Sequence, residues 1–125
     1  MPNHVFLQPQ EVEVFYVIPA LRKNLAVEMK KNGLKQKQIA SLLSIEDAAV
    51  SQYINDKRGN KIILSDDTLK EVSKSALAIN DKISYIRETQ RLLRFISDTG
   101  EICKIHRQTS NVPENCNPGL AQCFR

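Results

Sequence analysis

Apolar side chains recur at three- and four-residue steps along most of the chain, and this spacing predicts helices. The best-defined pair falls in residues 36–55, where two short helices would cross at a steep angle around a turn. Their facing side chains would be Ile39, Ala40 and Leu43 on the first helix, Ile45 in the turn, and Val50, Tyr53 and Ile54 on the second. The small side chain of Ala40 would let the two backbones approach closely at the crossing.

The outward face of the second predicted helix carries short and mostly uncharged side chains, which suit hydrogen bonding to base edges. The amides of Gln52 and Asn55 can bond adenine through two atoms, whereas Gln36, Ser51 and Lys57 are better placed for phosphates. The residues predicted to contact DNA are Gln36, Lys37, Asp47, Ala48, Ser51, Gln52, Asn55, Lys57 and Arg58. A plain helical hairpin within a core is the alternative interpretation of the same spacing.

The stretch resembles the helix-turn-helix of the phage repressor/Cro class of DNA-binding domains over roughly residues 19–80. The residues that carry the resemblance are Gln36, Ile39-Ala40, Leu43, Ile45, Val50-Ser51 and the basic-Gly sequence Lys57-Arg58-Gly59. With the segment IPALRKNLAVEMKKNG in front, the chain also resembles predicted archaeal transcriptional regulators that have a Cys-bearing C-terminal tail. The resemblance implies an all-α, five-helix-type helix-turn-helix DNA-binding domain, followed by an extra C-terminal helix and an irregular Cys/His tail.

Two residues depart from the pattern of that class. Ser44 replaces the usual turn glycine, so a left-handed conformation there would cost about 1 kcal/mol or more. Glu46 replaces the usual Ser or Thr before the second helix, which leaves Asp47 or Ser44 to cap it. Glu46 and Asp47 would also place negative charge near the DNA phosphates.

The helices around this pair have clear start and stop signals. Pro19 suits the first turn of a helix that ends at Asn32-Gly33, and Ser65 to Asp67 favour the start of another. The inward-facing residues of these two helices are predicted to be Leu21, Leu25 and Met29, then Leu69, Val72, Ala76 and Ile79. Asn80-Asp81 would break or kink the later helix. Residues 1–18 are predicted to be an N-terminal arm or short helix: the chain is loose up to Gln10, and residues 11–18 favour a short helix packed on the domain, with a β-arm in a dimer as the alternative.

Residues 81–100 predict one further helix. Ile83, Ile86, Leu93 and Ile96 recur at helical steps, with Gln90 between them. Such a stripe fits either the seam of a homodimer or a final core helix, and the sequence does not separate the two.

Charge is concentrated on the predicted DNA-binding region. The chain carries a net charge of +4, and residues 19–61 hold nine Lys or Arg against four acidic residues. This excess lies where the neutralisation of phosphates would need it, although a solvated basic face would have the same composition.

The segment 101–125 is rich in turn-forming residues and contains Cys103, His106, Cys116 and Cys123. Three thiols and one imidazole are a ligand set for tetrahedral zinc or an iron–sulfur cluster. The alternative is that the cysteines are bystanders, since only Cys103 and His106 have the familiar two-residue gap of a metal knuckle.

Taken together, these patterns predict a cytoplasmic, homodimeric transcriptional regulator that binds double-stranded DNA. No apolar run is long enough to span a membrane, no signal peptide is visible, and no nucleophile–base pair or phosphate loop indicates an enzyme. The alternative function is a protein-interaction module, antitoxin-like or a scaffold partner, that uses the helical fold without binding DNA.

Overall fold

A computed structural model describes residues 6–123, and every regular element in that range is helical. The helices are α1 (Pro9–Val12), a π-helical segment (Glu13–Val17), α2 (Ile18–Lys31), α3 (Gln36–Leu43), α4 (Asp47–Ile54), α5 (Asp66–Ala78), α6 (Lys82–Asp98), α7 (Glu101–Thr109) and α8 (Pro118–Ala121). The all-α fold class is therefore confirmed. None of these helices is long and apolar enough to cross a membrane. The start of the predicted N-terminal arm and the end of the predicted tail lie outside the described residues.

The N-terminal arm is a short helix that runs directly into α2, as the favoured prediction had it. Pro19 cannot donate a hydrogen bond to the preceding turn, and the backbone before it widens into the π-helical segment Glu13–Val17. At the end of this segment, the N–H of Ile18 donates to the carbonyl of Glu13, five residues back. The chain thus enters α2 without a break.

The core is centred on α2, which packs against both α4 and α5. Its inward side chains Leu21, Leu25 and Met29 are fully buried, as predicted from their spacing. Gly33 follows the helix at φ +93°, and its N–H and that of Leu34 close the last turn. This left-handed ending is what glycine at that position predicts.

The break between α5 and α6 occurs at the predicted residues. Ser65 caps α5 by accepting a hydrogen bond from the N–H of Thr68 at 3.2 Å, and Asp81 caps α6 by accepting one from Ser84 at 2.7 Å. Two helices therefore replace one long kinked helix because Asp81 satisfies the free N–H groups at the start of α6.

The buried face of α6 differs from the apolar stripe seen in the sequence. Its inward side chains are Ser84, Glu88, Leu92 and Ile96. Ile83 and Ile86 are 68% and 57% exposed, so only Ile96 of the apolar stripe is buried. The interpretation of that whole stripe as a core face is wrong, because hydrogen bonds from Ser75 and Arg91 allow a polar residue, Glu88, to be buried instead.

The expected irregular tail is also wrong for residues 101–109, which form α7. Ile102 and Ile105 are buried, and the polar residues beside them are buried through distant partners. The Glu101 carboxylate accepts hydrogen bonds from the N–H and hydroxyl of Ser65 at 2.7 and 2.9 Å, and from the Thr68 hydroxyl. These contacts fasten α7 to the start of α5, so the core extends beyond residue 100.

Candidate functional site

The α3–α4 pair has the predicted boundaries and the predicted inner face. Three residues, Ser44 to Glu46, join the two helices. The buried side chains are Ile39, Ala40, Leu43, Val50 and Tyr53, while Ile45 and Ile54 are half-buried. Ser44 adopts the left-handed conformation, with φ 56° and ψ 43°, and the N–H of Ile45 then bonds the carbonyl of Ala40 at 3.0 Å. This turn fixes how α4 leaves α3.

The start of α4 carries no side-chain cap. Glu46 occupies the cap position in an extended conformation, and its side chain makes no capping hydrogen bond. The prediction that Asp47 or Ser44 caps this helix is therefore wrong: Asp47 already lies inside the helix and Ser44 closes α3. The amide of Gln36 instead donates to the carbonyl of Asp47 at 2.9 Å. Gln36 thus holds the first turns of the two helices together while its side chain remains exposed.

The outward face of α4 consists of the residues that the sequence singled out. Asp47, Ala48, Gln52 and Asn55 are exposed and Ser51 is half-buried. The Asn55 amide donates to the Ser51 hydroxyl at 3.2 Å, which orients both side chains and leaves the Asn55 carbonyl oxygen and one N–H for another partner. Among residues 6–123, the Gln52 side chain has no hydrogen-bond partner. Its whole amide is accessible.

Two contacts hold the loop after α4 against α2, and one hydrogen bond lies within the loop itself. Asp56 takes a left-handed conformation with φ 61°, and its carboxylate pairs with Lys23 at 2.6 Å. Asn60 donates to the carbonyl of Asp56 at 2.7 Å. A Cβ atom on Gly59 would lie 2.4 Å from the Pro19 carbonyl oxygen, so this glycine allows the loop to touch the start of α2. The loop therefore presents its basic residues from a fixed position.

The positive charge around α3 and α4 is largely unneutralised. Between residues 35 and 61, all of which the structure describes, the exposed basic side chains that form no ion pair are Lys35, Lys37, Lys57, Arg58 and Lys61. The Arg58 guanidinium lies 5.4 Å from the centre of the Tyr53 ring, which holds it beside α4. Lys35 and Lys61 were not among the predicted contacts, although the charge distribution alone marks them as equivalent to Lys37 and Lys57.

The four predicted metal ligands lie around one cavity, and all four come after α6 in the sequence. A cavity of about 180 Å³ is lined by Cys103 and His106 of α7 and by Cys116 and Cys123 of the C-terminal segment. Burial and the neighbouring Cys123 and Cys116 thiols raise the pKa of Cys103. As they stand, no three His, Cys, Asp or Glu side chains in residues 6–123 form a group that could hold a metal ion.

His106 is buried and its ring makes one defined hydrogen bond. Nε2 lies 2.6 Å from the carbonyl oxygen of Leu7. A carbonyl only accepts, so Nε2 is the ring nitrogen that donates in this contact. No pattern in the sequence predicts this contact, because Leu7 is 99 residues away along the chain.

Comparison of the chain with protein-family models, with curated proteins and with solved structures finds no match.

Proposed function

We propose that this chain is a sequence-specific DNA-binding transcriptional regulator of the phage repressor/Cro helix-turn-helix class, acting as a homodimer on double-stranded DNA. The observation that carries the proposal is the outward face of α4: an accessible Gln52 amide and an oriented Ser51–Asn55 pair, flanked by unpaired basic side chains. A core hairpin has no need of such a face.

In this proposal α4 is the recognition helix and enters the major groove, while α3 crosses the phosphate backbone. The side-chain amide of Gln52 has both its carbonyl oxygen and its NH₂ group free to pair with an adenine. Asn55 retains one donor and one acceptor for the same purpose. The Asp47 carboxylate would accept from a cytosine amino group, and Ala48 would contact a thymine methyl.

Phosphate binding falls to residues at the edges of this face. Lys37, Lys57 and Arg58 are exposed, and the second N–H of the Gln36 amide is free for a phosphate oxygen. Lys35 and Lys61 extend the same charge. Glu46 and Asp47 oppose it, so the net attraction rests on the basic residues outnumbering these two carboxylates.

The homodimer is proposed because part of the apolar stripe along α6 is exposed. Ile83 and Ile86 are large apolar residues left in solvent by the single chain, although α6 buries its opposite face. Two recognition helices on a two-fold axis would then read two half-sites about one helical turn apart. The same exposed residues would serve the protein-interaction module that is the alternative function, and DNA binding distinguishes the two.

Selection from a pool of random duplex DNA tests the proposal. Wild-type protein should enrich a two-fold symmetric sequence, whereas protein with Gln52→Ala and Asn55→Ala should enrich a degenerate one while still retaining DNA non-specifically. Lys70→Ala, on the exposed face of α5, is the matched control and should enrich the wild-type sequence. A wild-type pool that remains random after repeated rounds would contradict sequence-specific binding.

A further inference from the structure

We propose that Cys103, His106, Cys116 and Cys123 together bind one Zn²⁺ ion in the cavity between α7 and the C-terminal segment. The inference does not depend on DNA binding, since it rests on residues outside α3 and α4. Three thiolates and one imidazole nitrogen complete a tetrahedral set of the kind found in structural zinc sites.

The His106 ring is oriented as a zinc-binding histidine is oriented. In such sites the nitrogen that does not bind the metal donates its N–H to a backbone carbonyl or a carboxylate, which fixes the tautomer and the ring. Nε2 of His106 makes that hydrogen bond to the Leu7 carbonyl at 2.6 Å. Nδ1 has no hydrogen-bond partner among residues 6–123, and the residue lines the cavity with all three cysteines.

The backbone places the thiols on two sides of the cavity. Cys103 and His106 are one turn apart on α7, so they share a face of that helix. Cys116 follows a turn in which its N–H bonds the Pro113 carbonyl, and its own carbonyl accepts from Arg107 at 2.6 Å. Cys123 follows α8, whose start is capped by the Asn117 side chain.

Binding requires the C-terminal segment to move toward α7, because the four side chains do not form a metal-holding group as they stand. The segment is suited to such a movement. Every residue from 113 to 123 is exposed or half-buried, and α8 is only four residues long. Coordination would therefore order this segment against α7, and metal binding and local folding should be coupled.

The charge of the proposed complex is small. Three thiols release three protons on binding, and three thiolates with one Zn²⁺ carry a net charge of −1. The Arg107 guanidinium lines the same cavity and offsets this charge. Arg107 therefore both anchors the Cys116 turn and stabilises the loaded site.

The test uses the full chain, freed of metal under reducing conditions and titrated with Zn²⁺ against a chromophoric chelator. We expect one Zn²⁺ per chain with release of protons, and protection of residues 110–123 from protease that a strong chelator reverses. Co²⁺ in place of Zn²⁺ should give the visible absorption of a tetrahedral thiolate site. Loss of an outer partner of a metal ligand typically costs 10–100-fold in affinity, so Cys103→Ser or Cys123→Ser should cost at least about 100-fold.

The variant His106→Gln tests the imidazole. The glutamine amide N–H can still donate to the Leu7 carbonyl, whereas Nδ1 is lost. The variant should fold, as judged by circular dichroism, and bind Zn²⁺ at least about 10-fold more weakly. Lys104→Ala, on the exposed face of α7, is the control and should bind as the wild type does. Should Cys103→Ser not fold, Cys123→Ser, close to the end of the described chain, carries the same test.

Three results would overturn the proposal. The first is binding at less than one ion per chain, or with unchanged affinity after Cys123→Ser. The second is unchanged affinity in folded His106→Gln, which would exclude the imidazole as a ligand. The third is a coloured protein that contains iron when purified without oxygen, which would replace zinc by an iron–sulfur cluster.

Discussion

Replacement of Gly59 by alanine should be much more damaging than replacement of Gly33, although both glycines have positive φ angles. At Gly59 φ is +71°, and a new Cβ would lie 2.4 Å from the Pro19 carbonyl oxygen and 2.8 Å from the Lys23 Cβ. At Gly33 φ is +93°, and nothing lies within 4 Å of the new atom. Gly33→Ala therefore measures the backbone cost alone.

The two costs can be estimated separately. A left-handed conformation costs a residue with a Cβ about 1–2 kcal/mol. Relief of the contact with Pro19 needs a backbone shift of about 1 Å, and overpacking of this kind costs about 1–3 kcal/mol. We expect Gly33→Ala to lower the free energy of unfolding by about 1–2 kcal/mol and Gly59→Ala by about 2–5 kcal/mol.

Urea and thermal unfolding followed by circular dichroism measure both changes. For a chain of this size about 4 °C of Tm corresponds to 1 kcal/mol, so Gly59→Ala should melt about 8–20 °C below the wild type and Gly33→Ala about 4–8 °C below it. Gly100→Ala, also at positive φ in open space, is a second control. Equal losses in all three variants would show that the loop carrying Lys57 and Arg58 does not rest on the start of α2.

Three further changes test other parts of the structure. Ser44→Gly should raise the free energy of unfolding by about 0.5–1 kcal/mol, because glycine removes the left-handed strain, whereas Ser44→Ala should not raise it. Equal free energies of unfolding for the two variants in chemical denaturation would refute the left-handed conformation of this turn. Ile86→Lys should give a folded monomer by sedimentation, since Ile86 is exposed in the single chain, with Ile63→Lys as the exposed control; an unchanged dimer would place the interface elsewhere. The hydrogen bond from Arg91 lowers the pKa of Glu71, so the folded state resists protonation there and stability falls as the pH drops below the ordinary glutamate range. We therefore expect the Arg91→Met variant to be less stable than the wild type at neutral pH and to lose less stability on acidification. If the free energies of unfolding of the two proteins fall equally as the pH is lowered, this linkage is contradicted.

The pattern of apolar residues was sufficient for α3 and α4, because their contacts are local and nearly all apolar. Ile39, Leu43 and Val50 are buried as predicted from spacing alone. In such a pair, the spacing of apolar residues in the sequence is sufficient to predict which face of each helix is buried.

Prediction failed where burial depends on polar partners far away along the chain. The buried face of α7 contains Glu101 and His106, whose hydrogen bonds reach 36 residues to Ser65 and 99 residues to Leu7. The turn-forming residues of this segment predict an irregular tail, and hydropathy treats both of these side chains as exposed. The Gln36–Asp47 contact was missed for a related reason: a glutamine at a helix start suits a phosphate and a backbone carbonyl equally well.

The residues proposed to contact DNA could be named from the sequence as a group but not ranked. Gln52 and Asn55 were equivalent candidates, and the hydrogen bond between Asn55 and Ser51 distinguishes them by leaving only Gln52 without a partner in the described chain. Gln52 is therefore the residue whose removal should have the clearest effect on specificity.

The most direct test of DNA recognition is a titration of the selected duplex and a scrambled duplex, followed by fluorescence anisotropy over a range of salt concentrations. Six phosphate contacts by a dimer, from Lys37, Lys57 and Arg58 of each chain, predict a slope of about −5 for the logarithm of the association constant against the logarithm of salt concentration. Gln52→Ala should weaken binding to the selected duplex by about 1–3 kcal/mol and leave binding to the scrambled duplex and the salt slope unchanged. A salt slope near zero, or equal losses on the two duplexes, would contradict recognition of DNA through α4.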